Sequence, residues 1–204
     1  MNGQIAGQSV SRETIERLTA FEALLRKWNS RINLVSPSSL DDIWDRHIVD
    51  SAQIFSLRPS RAGLWVDLGS GGGLPGIVCA ILAQEHSAET RLILVESDKR
   101  KSAFLTVCAQ QFALSITVVS SRAEVVEPLH ADIVSARALA PLPMLLPLVA
   151  RHLNPKGVAL LPKGKTHEAE LEAARSGWQF ETDSYPSLTD PQARILALKD
   201  IHRV

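Results

Sequence analysis

A short apolar strand that runs straight into a dense cluster of glycines constrains this chain more than any other feature. The run is Leu64-Trp65-Val66-Asp67-Leu68-Gly69-Ser70-Gly71-Gly72-Gly73-Leu74-Pro75-Gly76, followed by an apolar stretch from Ile77 to Leu82. Glycines accept the positive φ of a tight turn and let a ligand approach the backbone closely. Pro75 suits a first helical position, where its missing N–H leaves nothing unsatisfied. Strand, turn and helix together predict a nucleoside-bearing small molecule held across the edge of a parallel sheet.

Two kinds of cofactor suit such a turn. Gly71-x-Gly73-x-x-Gly76 satisfies the dinucleotide fingerprint, in which a pyrophosphate rests on a helix N-terminus. The strand ends at Leu68, however, so Gly69 is the first turn glycine and that fingerprint starts late. Asp67 stands two residues before Gly69, where a carboxylate can face a cationic ligand. The arrangement Asp67-x-Gly69-x-Gly71-x-Gly73 resembles motif I of the class I S-adenosylmethionine methyltransferases. That ligand carries an amino-acid end and a sulfonium, and no pyrophosphate. The resemblance implies S-adenosylmethionine as cofactor; a nicotinamide or flavin enzyme and a cofactor-free α/β unit are the alternatives.

The 204 residues, 45% of them hydrophobic, suffice for one unit with a substantial core. No run approaches the roughly 20 apolar residues of a membrane span. Met1 to Val10 is polar and glycine-containing, unlike a basic leader or an apolar signal core. Cys79 and Cys108 fall inside predicted helices and make no disulfide framework, so a cytoplasmic protein with reduced thiols is expected. The formal net charge is zero, which leaves any polyanion to a local basic face. A monomer without a metal satisfies every feature.

Two regimes of periodicity divide the chain. Ile15, Leu18, Phe21, Leu25, Trp28 and Ile32 recur at three- and four-residue spacing and predict an amphipathic helix. Ser36-Pro37-Ser38-Ser39 interrupts it, and Ser39 with Asp42 resembles a capping box for a second helix through Phe55. Arg58 to Gly63 reads as a linker. Strands then follow at 64–68, 91–96, 115–120, 131–135 and 157–162, with helices at 75–84, 98–113, 141–152 and 166–176. Residues 178–186 and 192–201 read as an antiparallel hairpin. The expected architecture is α/β: a Rossmann-like, doubly wound class I methyltransferase sheet, mostly parallel with an antiparallel C-terminal strand. Residues 64–204 form this core, and residues 1–63 form a helical extension packed on it.

Ligands of doubly wound sheets bind beyond the carboxyl ends of the strands. There Glu96 can accept both hydroxyls of a ribose, while Asp98 suits a helix cap. Lys99-Arg100-Lys101 opens the next helix against its dipole, which suggests phosphate contact or a solvated face. Ala123 is small enough to leave a slot for adenine, and Glu124 can accept from the adenine amine. The fourth strand carries neither an Asn-Pro-Pro-Tyr sequence for an exocyclic amine nor a cysteine nucleophile for a pyrimidine carbon. It carries Arg137, and the fifth ends in Lys163 and Lys165.

Together these positions resemble the bacterial small-subunit ribosomal RNA guanine-N7 methyltransferases, the RsmG or GidB family. The matching residues are Trp28-Asn29 with Asn33-Leu34, Arg46-His47 with Asp50-Ser51, the run from Asp67 to Gly76, and Glu96 with Lys99-Arg100. Ser121-Arg122-Ala123-Glu124, Ser135 with Arg137-Ala138, and Lys163-Gly164 complete them. The resemblance implies that Gly69, Leu74, Ala123, Glu124 and Arg137 contact the cofactor. Two departures stand out: Ala193-Arg194-Ile195-Leu196 replaces the family's Arg-His-Leu, and Ala136 separates Ser135 from Arg137. The implied substrate is a guanine of 16S ribosomal RNA, in the small subunit or an assembly intermediate. Guanine N7 has an in-plane lone pair and no proton, so no catalytic base is expected and positioning supplies the rate. Arg137 is assigned to the methionine carboxylate or an RNA phosphate. RNA contact is assigned to Arg46, His47, Lys99, Arg100, Arg122, Lys163 and Lys165, with Arg26, Lys27 and Arg31 nearby; His47 and Trp28 are candidates for stacking on a base, with core as the preferred reading of Trp28. A small-molecule methyltransferase and a cofactor-binding interaction protein are the alternative functions.

Overall fold

The computed structural model describes residues 3–60 and 62–204. Met1 and Asn2 of the polar start, and Arg61 of the expected linker, lie outside the described residues. The chain opens with a hairpin of β1 (Gly3–Ile5) and β2 (Gln8–Val10) that the sequence reading did not foresee. Its two-residue turn places Ala6 and Gly7 at positive φ, and alanine seldom takes that conformation, so no residue pattern announces it.

Helix α1 (Arg12–Asn29) starts at Ser11, whose Oγ accepts from the Thr14 amide at 3.1 Å. Its buried stripe includes Leu18, Phe21 and Leu25. The expected capping box is not formed. Ser39 lies in a tight turn, Pro37–Ser39, where its hydroxyl donates to the Ser36 carbonyl at 2.9 Å and pairs with His47 Nε2 at 2.9 Å. Its oxygen is therefore committed, and the second helix begins later, as a wide π-helical turn (Trp44–Val49) that passes into α2 (Asp50–Ser56).

From residue 64 the expected alternation holds. The elements are β3 (Leu64–Leu68), α3 (Gly76–His86), β4 (Arg91–Glu96), α4 (Lys99–Gln111), β5 (Ile116–Ser120) and β6 (Ala131–Ala136). They continue with α5 (Leu142–His152), β7 (Leu153–Lys163), α6 (His167–Arg175), β8 (Trp178–Pro186) and β9 (Arg194–Arg203). The seven-stranded sheet runs β5-β4-β3-β6-β7-β9-β8. Strands β3 to β7 are parallel, and β9 enters antiparallel between β7 and β8. This is the class I methyltransferase architecture.

Successive strand residues face opposite sides of the sheet, and that alternation builds two cores. Trp65, Leu92, Leu94, Ile133 and Leu160 pack with α1 to α4, whereas Val66, Leu68, Val95, Val134 and Leu161 pack with α5 and α6. The N-terminal helices thus share a core with the sheet. Phe55 stacks on Trp65 with ring centroids 6.2 Å apart and planes 6° from parallel. Among the described residues no helix is long and apolar enough to cross a membrane.

Candidate active site

The glycine turn is fixed by the end of β4. The amides of Gly69 and Ser70 donate to the Val95 carbonyl at 2.8 and 3.1 Å. The Gly71 amide donates to Glu96 Oε2 at 2.8 Å, and the Asp98 amide to Glu96 Oε1 at 2.7 Å. Glu96 is buried, so this staple sets the distance between turn and strand end. Each carboxylate oxygen can accept a second hydrogen bond, which leaves Glu96 capacity for a diol. Gly69, Gly71 and Gly73 all have positive φ. The Leu74–Pro75 peptide is cis, and Pro75 caps α3 rather than occupying its first turn.

Asp67 departs from its expected role. It is 1% exposed, and its Oδ1 accepts from the Ser135 hydroxyl at 2.6 Å, which in turn accepts from Trp65 Nε1 at 2.9 Å. Oδ2 faces the start of α3 at Gly76 and has no hydrogen-bond partner among the described residues. The carboxylate therefore ties β3 to β6 beneath the turn and is not presented to a ligand. Burial pushes its pKa up to about 6, against the lowering effect of its hydrogen bonds.

Two concavities lie along the carboxyl edge. A slot of about 100 Å³ runs between Gly69, Val95, Ser97, Ala123, Glu124 and Leu139. A larger cleft of about 480 Å³ opens among Arg46, Asp50, Arg137, Lys163, Glu170 and Arg194. Leu139 lines both and so forms the partition between them. Ala138, at a φ of +51°, turns the loop that carries it. The leucine lies so close to Gly69 that a β-carbon there would come within 2.6 Å of its Cδ1.

The cleft is held by ties between distant segments. Arg137 Nη2 donates to the Arg46 carbonyl at 2.8 Å, and Nη1 lies 3.6 Å from Asp50 Oδ2. Asp50 Oδ1 accepts from the Ser187 hydroxyl at 3.1 Å. Gln53 donates to the Pro186 carbonyl and accepts from the Leu188 amide, at 2.8 and 2.9 Å. Helix α2, the loop after β6 and the β8–β9 turn are thereby locked together. His47 Nδ1 is buried without a partner among the described residues, and burial, aided by Arg137 and Arg46, lowers the ring's pKa to about 4. The imidazole is neutral at physiological pH.

Comparison with known proteins decides the family. The family description "GidB: rRNA small subunit methyltransferase G" matches residues 14–196. A curated "Ribosomal RNA small subunit methyltransferase G" from Ruegeria pomeroyi is 53% identical over 96% of both chains. The chain belongs to this family. Among solved structures, a TehB-like SAM-dependent methyltransferase from Corynebacterium glutamicum has a TM-score of 0.57 at 16% identity, covering 91% of this chain and 98% of its own. M. jannaschii TYW2 in complex with AdoMet has a TM-score of 0.58 at 15% identity, covering 86% and 80%. Both share the fold, and S-adenosylmethionine is the cofactor of the rRNA small subunit methyltransferase G family. The residues of the slot fit it in part: Glu96 offers acceptors beside the turn and Ala123 and Glu124 line the slot, while Leu139 fills the space over Gly69.

The residues singled out in the sequence divide on this framework. Gly69, Ala123 and Glu124 line the slot, Arg122 lies at its edge, and Gly71 and Glu96 frame it. The Leu74 side chain is in the apolar core, which leaves only its backbone near the turn. Arg137 lines the cleft and not the slot, because β6 runs on through Ala136 and directs Arg137 toward α2. Asp98 caps α4 as expected, accepting from the Arg100 and Lys101 amides. Lys99, Arg100 and Lys165 are exposed. The sequence assigns no role to Leu139, Arg194 or Asp50; Asp50, one helical turn from Arg46, pairs instead with Arg137.

Lys163 is a correction. Its side chain is 8% exposed, donates to the Ala140 carbonyl at 2.8 Å and pairs with Glu170 at 2.9 Å. Glu170 also accepts from the Leu142 amide at 2.8 Å, which fixes the start of α5. Lys163→Met is expected to lose about 2 kcal/mol, roughly 4–8 °C in Tm, with the RNA-binding salt slope unchanged. Lys165→Met is expected to leave Tm unchanged and lower that slope by about 0.7–0.9. Calorimetry with salt-dependent binding separates the two lysines.

Proposed function

We propose that this chain transfers the methyl group of S-adenosylmethionine to N7 of one guanine in 16S ribosomal RNA, within the small subunit or an assembly intermediate. The observation that carries the reading is the meeting of slot and charged cleft at Leu139 in a member of this family. When bound, the cofactor supplies an electrophilic methyl on a sulfonium. The protein's part is placement, which is worth several kcal/mol when two reactants are held in line. The glycine turn, Glu96, Ala123 and Glu124 seat one reactant. The cleft receives the other, and Leu139 stands at the opening between them.

Nothing in the cleft is required to take a proton, because N7 has none. His47, neutral and paired with Ser39, lines neither the cleft nor the slot. N7 becomes cationic on methylation, and a bare arginine beside it would oppose that change. Asp50 offsets Arg137, so the cleft presents a paired charge there. Arg46, Arg122, Lys99, Arg100 and Lys165 remain exposed for phosphates, and their contacts supply affinity.

The test uses purified protein, methyl-labelled S-adenosylmethionine and small subunits from cells lacking this gene, with the label mapped by nuclease digestion. The expected result is label at a single N7-methylguanosine of 16S RNA. RNA binding should weaken steeply with salt, because neutralised phosphates release counterions. Cofactor binding without transfer to any ribosomal RNA would overturn the reading and favour a small-molecule acceptor.

A further inference from the structure

A second concave surface lies away from the transfer cleft, between the C-terminal end of α1 and the first half of α4. Trp28, Ile32 and Ala103 line it with Lys27, Arg31 and Arg100, around a volume of about 290 Å³. The sequence reads Trp28 as core, and the structure bears that out for only part of the ring. The indole packs against Phe104, with centroids 5.5 Å apart and planes at 56°, but stays half-buried at the groove.

The charges around the groove are one-sided. Among the described residues no carboxylate lines it. Lys27 and Arg31 are exposed and form no ion pair among the described residues, whose ion pairs lie elsewhere. Among the described residues Arg100 reaches only its own helix cap, Asp98, at 3.5 Å, and its side chain is 73% exposed. It also stands in the first turn of α4, where a cation opposes the helix dipole. In a chain of zero net charge, three cations gather around an apolar, aromatic floor. An aromatic face beside Arg and Lys is the chemistry that holds an unstacked nucleotide, with the base on the ring and phosphates on the cations.

We propose that the α1–α4 groove binds one unstacked nucleotide of the substrate RNA, its base against Trp28 and Ile32 and its flanking phosphates on Lys27, Arg31 and Arg100. The inference rests on the RNA methyltransferase reading and adds to it a contact outside the transfer cleft. Such a contact contributes affinity and register, and leaves the chemical step untouched.

Ala103→Glu tests it, because Ala103 is exposed on α4 and glutamate is a good helix former. The variant sets a carboxylate on the floor of the groove, and Ala103→Gln is the neutral control of equal size. Ala103→Glu is expected to weaken binding of small-subunit RNA about tenfold, the effect of losing one stacked base, with Ala103→Gln clearly weaker in effect. Arg31→Gln is expected to lower the salt slope by about 0.7–0.9. Transfer rate at saturating RNA, S-adenosylmethionine affinity and Tm should stay at wild-type values in both Ala103 variants. Wild-type RNA affinity in Ala103→Glu overturns the groove while wild-type transfer stands, whereas absence of transfer by the wild type overturns the function itself. A loss seen with ribosomal particles but not with naked RNA would assign the groove to a protein and overturn the RNA occupant.

Discussion

Gly73→Ala is expected to abolish methyl transfer and lower Tm by roughly 5–15 °C. Gly73 has a φ of +78°, and a β-carbon there would collide with Ile77 Cγ1 and sit 3.3 Å from Leu105 Cδ2. The left-handed conformation costs an L-residue about 1–2 kcal/mol. Overpacking against a buried neighbour adds about 1–3 kcal/mol. For a chain of this size, each kcal/mol is worth about 2–4 °C. Ile77 cannot yield alone, because its amide donates to the Gly73 carbonyl at 2.7 Å in the first turn of α3. Relief must come from the turn itself, which moves the Gly71 amide off Glu96 and deforms the slot. Gly71→Ala is the contrast: its φ is +52° but the nearest atom to a new β-carbon lies 3.7 Å away. That variant should lose only about 1–2 kcal/mol and retain cofactor binding. Titration calorimetry with S-adenosylmethionine, alongside thermal unfolding, distinguishes them, and equal losses would show that conformation rather than contact dominates at this turn.

The same turn explains why so much of the fold was legible. Strand ends, glycines and the Asp98 cap are local features, each decided by residues within a few positions of one another. The parallel sheet and the slot followed from them. The cleft did not, because its geometry depends on partners far away in sequence. Lys163 ends a strand as any free cation would, and only Glu170 on the next helix makes it a buried pair. The sequence reads Arg137 toward the methionine carboxylate or an RNA phosphate; Ala138 at positive φ, the Arg46 carbonyl and Asp50 turn it to the larger cleft, away from the slot. Asp67 was read as a ligand because of its place before Gly69, while Ser135, 68 residues later, claims its Oδ1. Trp28 shows the converse: a helical stripe marks the buried side of a residue and says nothing of a groove formed with another helix.

Relative to wild type, Asp67→Asn is expected to gain stability between pH 4 and 6.5, and His47→Gln to lose it. Burial raises the folded pKa of Asp67 to about 6, from 3.8. The folded state therefore holds this proton more tightly, and its contribution to stability falls as pH rises from about 4 to 6. The linkage is worth about 3 kcal/mol across that range. His47 has the opposite sign, since its folded pKa is lowered from 6.5 to about 4. The unfolded chain binds that proton more readily, so the stability contributed by His47 rises with pH over the same window. Its amplitude is smaller, because the ring is only half-buried and solvent screens it. The two slopes partly cancel. Asp67→Asn removes the falling limb, so its Tm relative to wild type should climb by roughly 6–12 °C from pH 4 to 6.5. His47→Gln removes the rising limb, so its relative Tm should fall, and the double variant should lie between them. Comparison with wild type at each pH cancels the other carboxylates, including Glu85, Asp98 and Glu170, whose pKa values are lowered by hydrogen bonds and act alike in every protein. If Asp67→Asn tracked the wild type across the window, the buried carboxylate would not be protonating there, and the Ser135 hydroxyl would be stabilising its anion far more than the burial of Oδ2 opposes it.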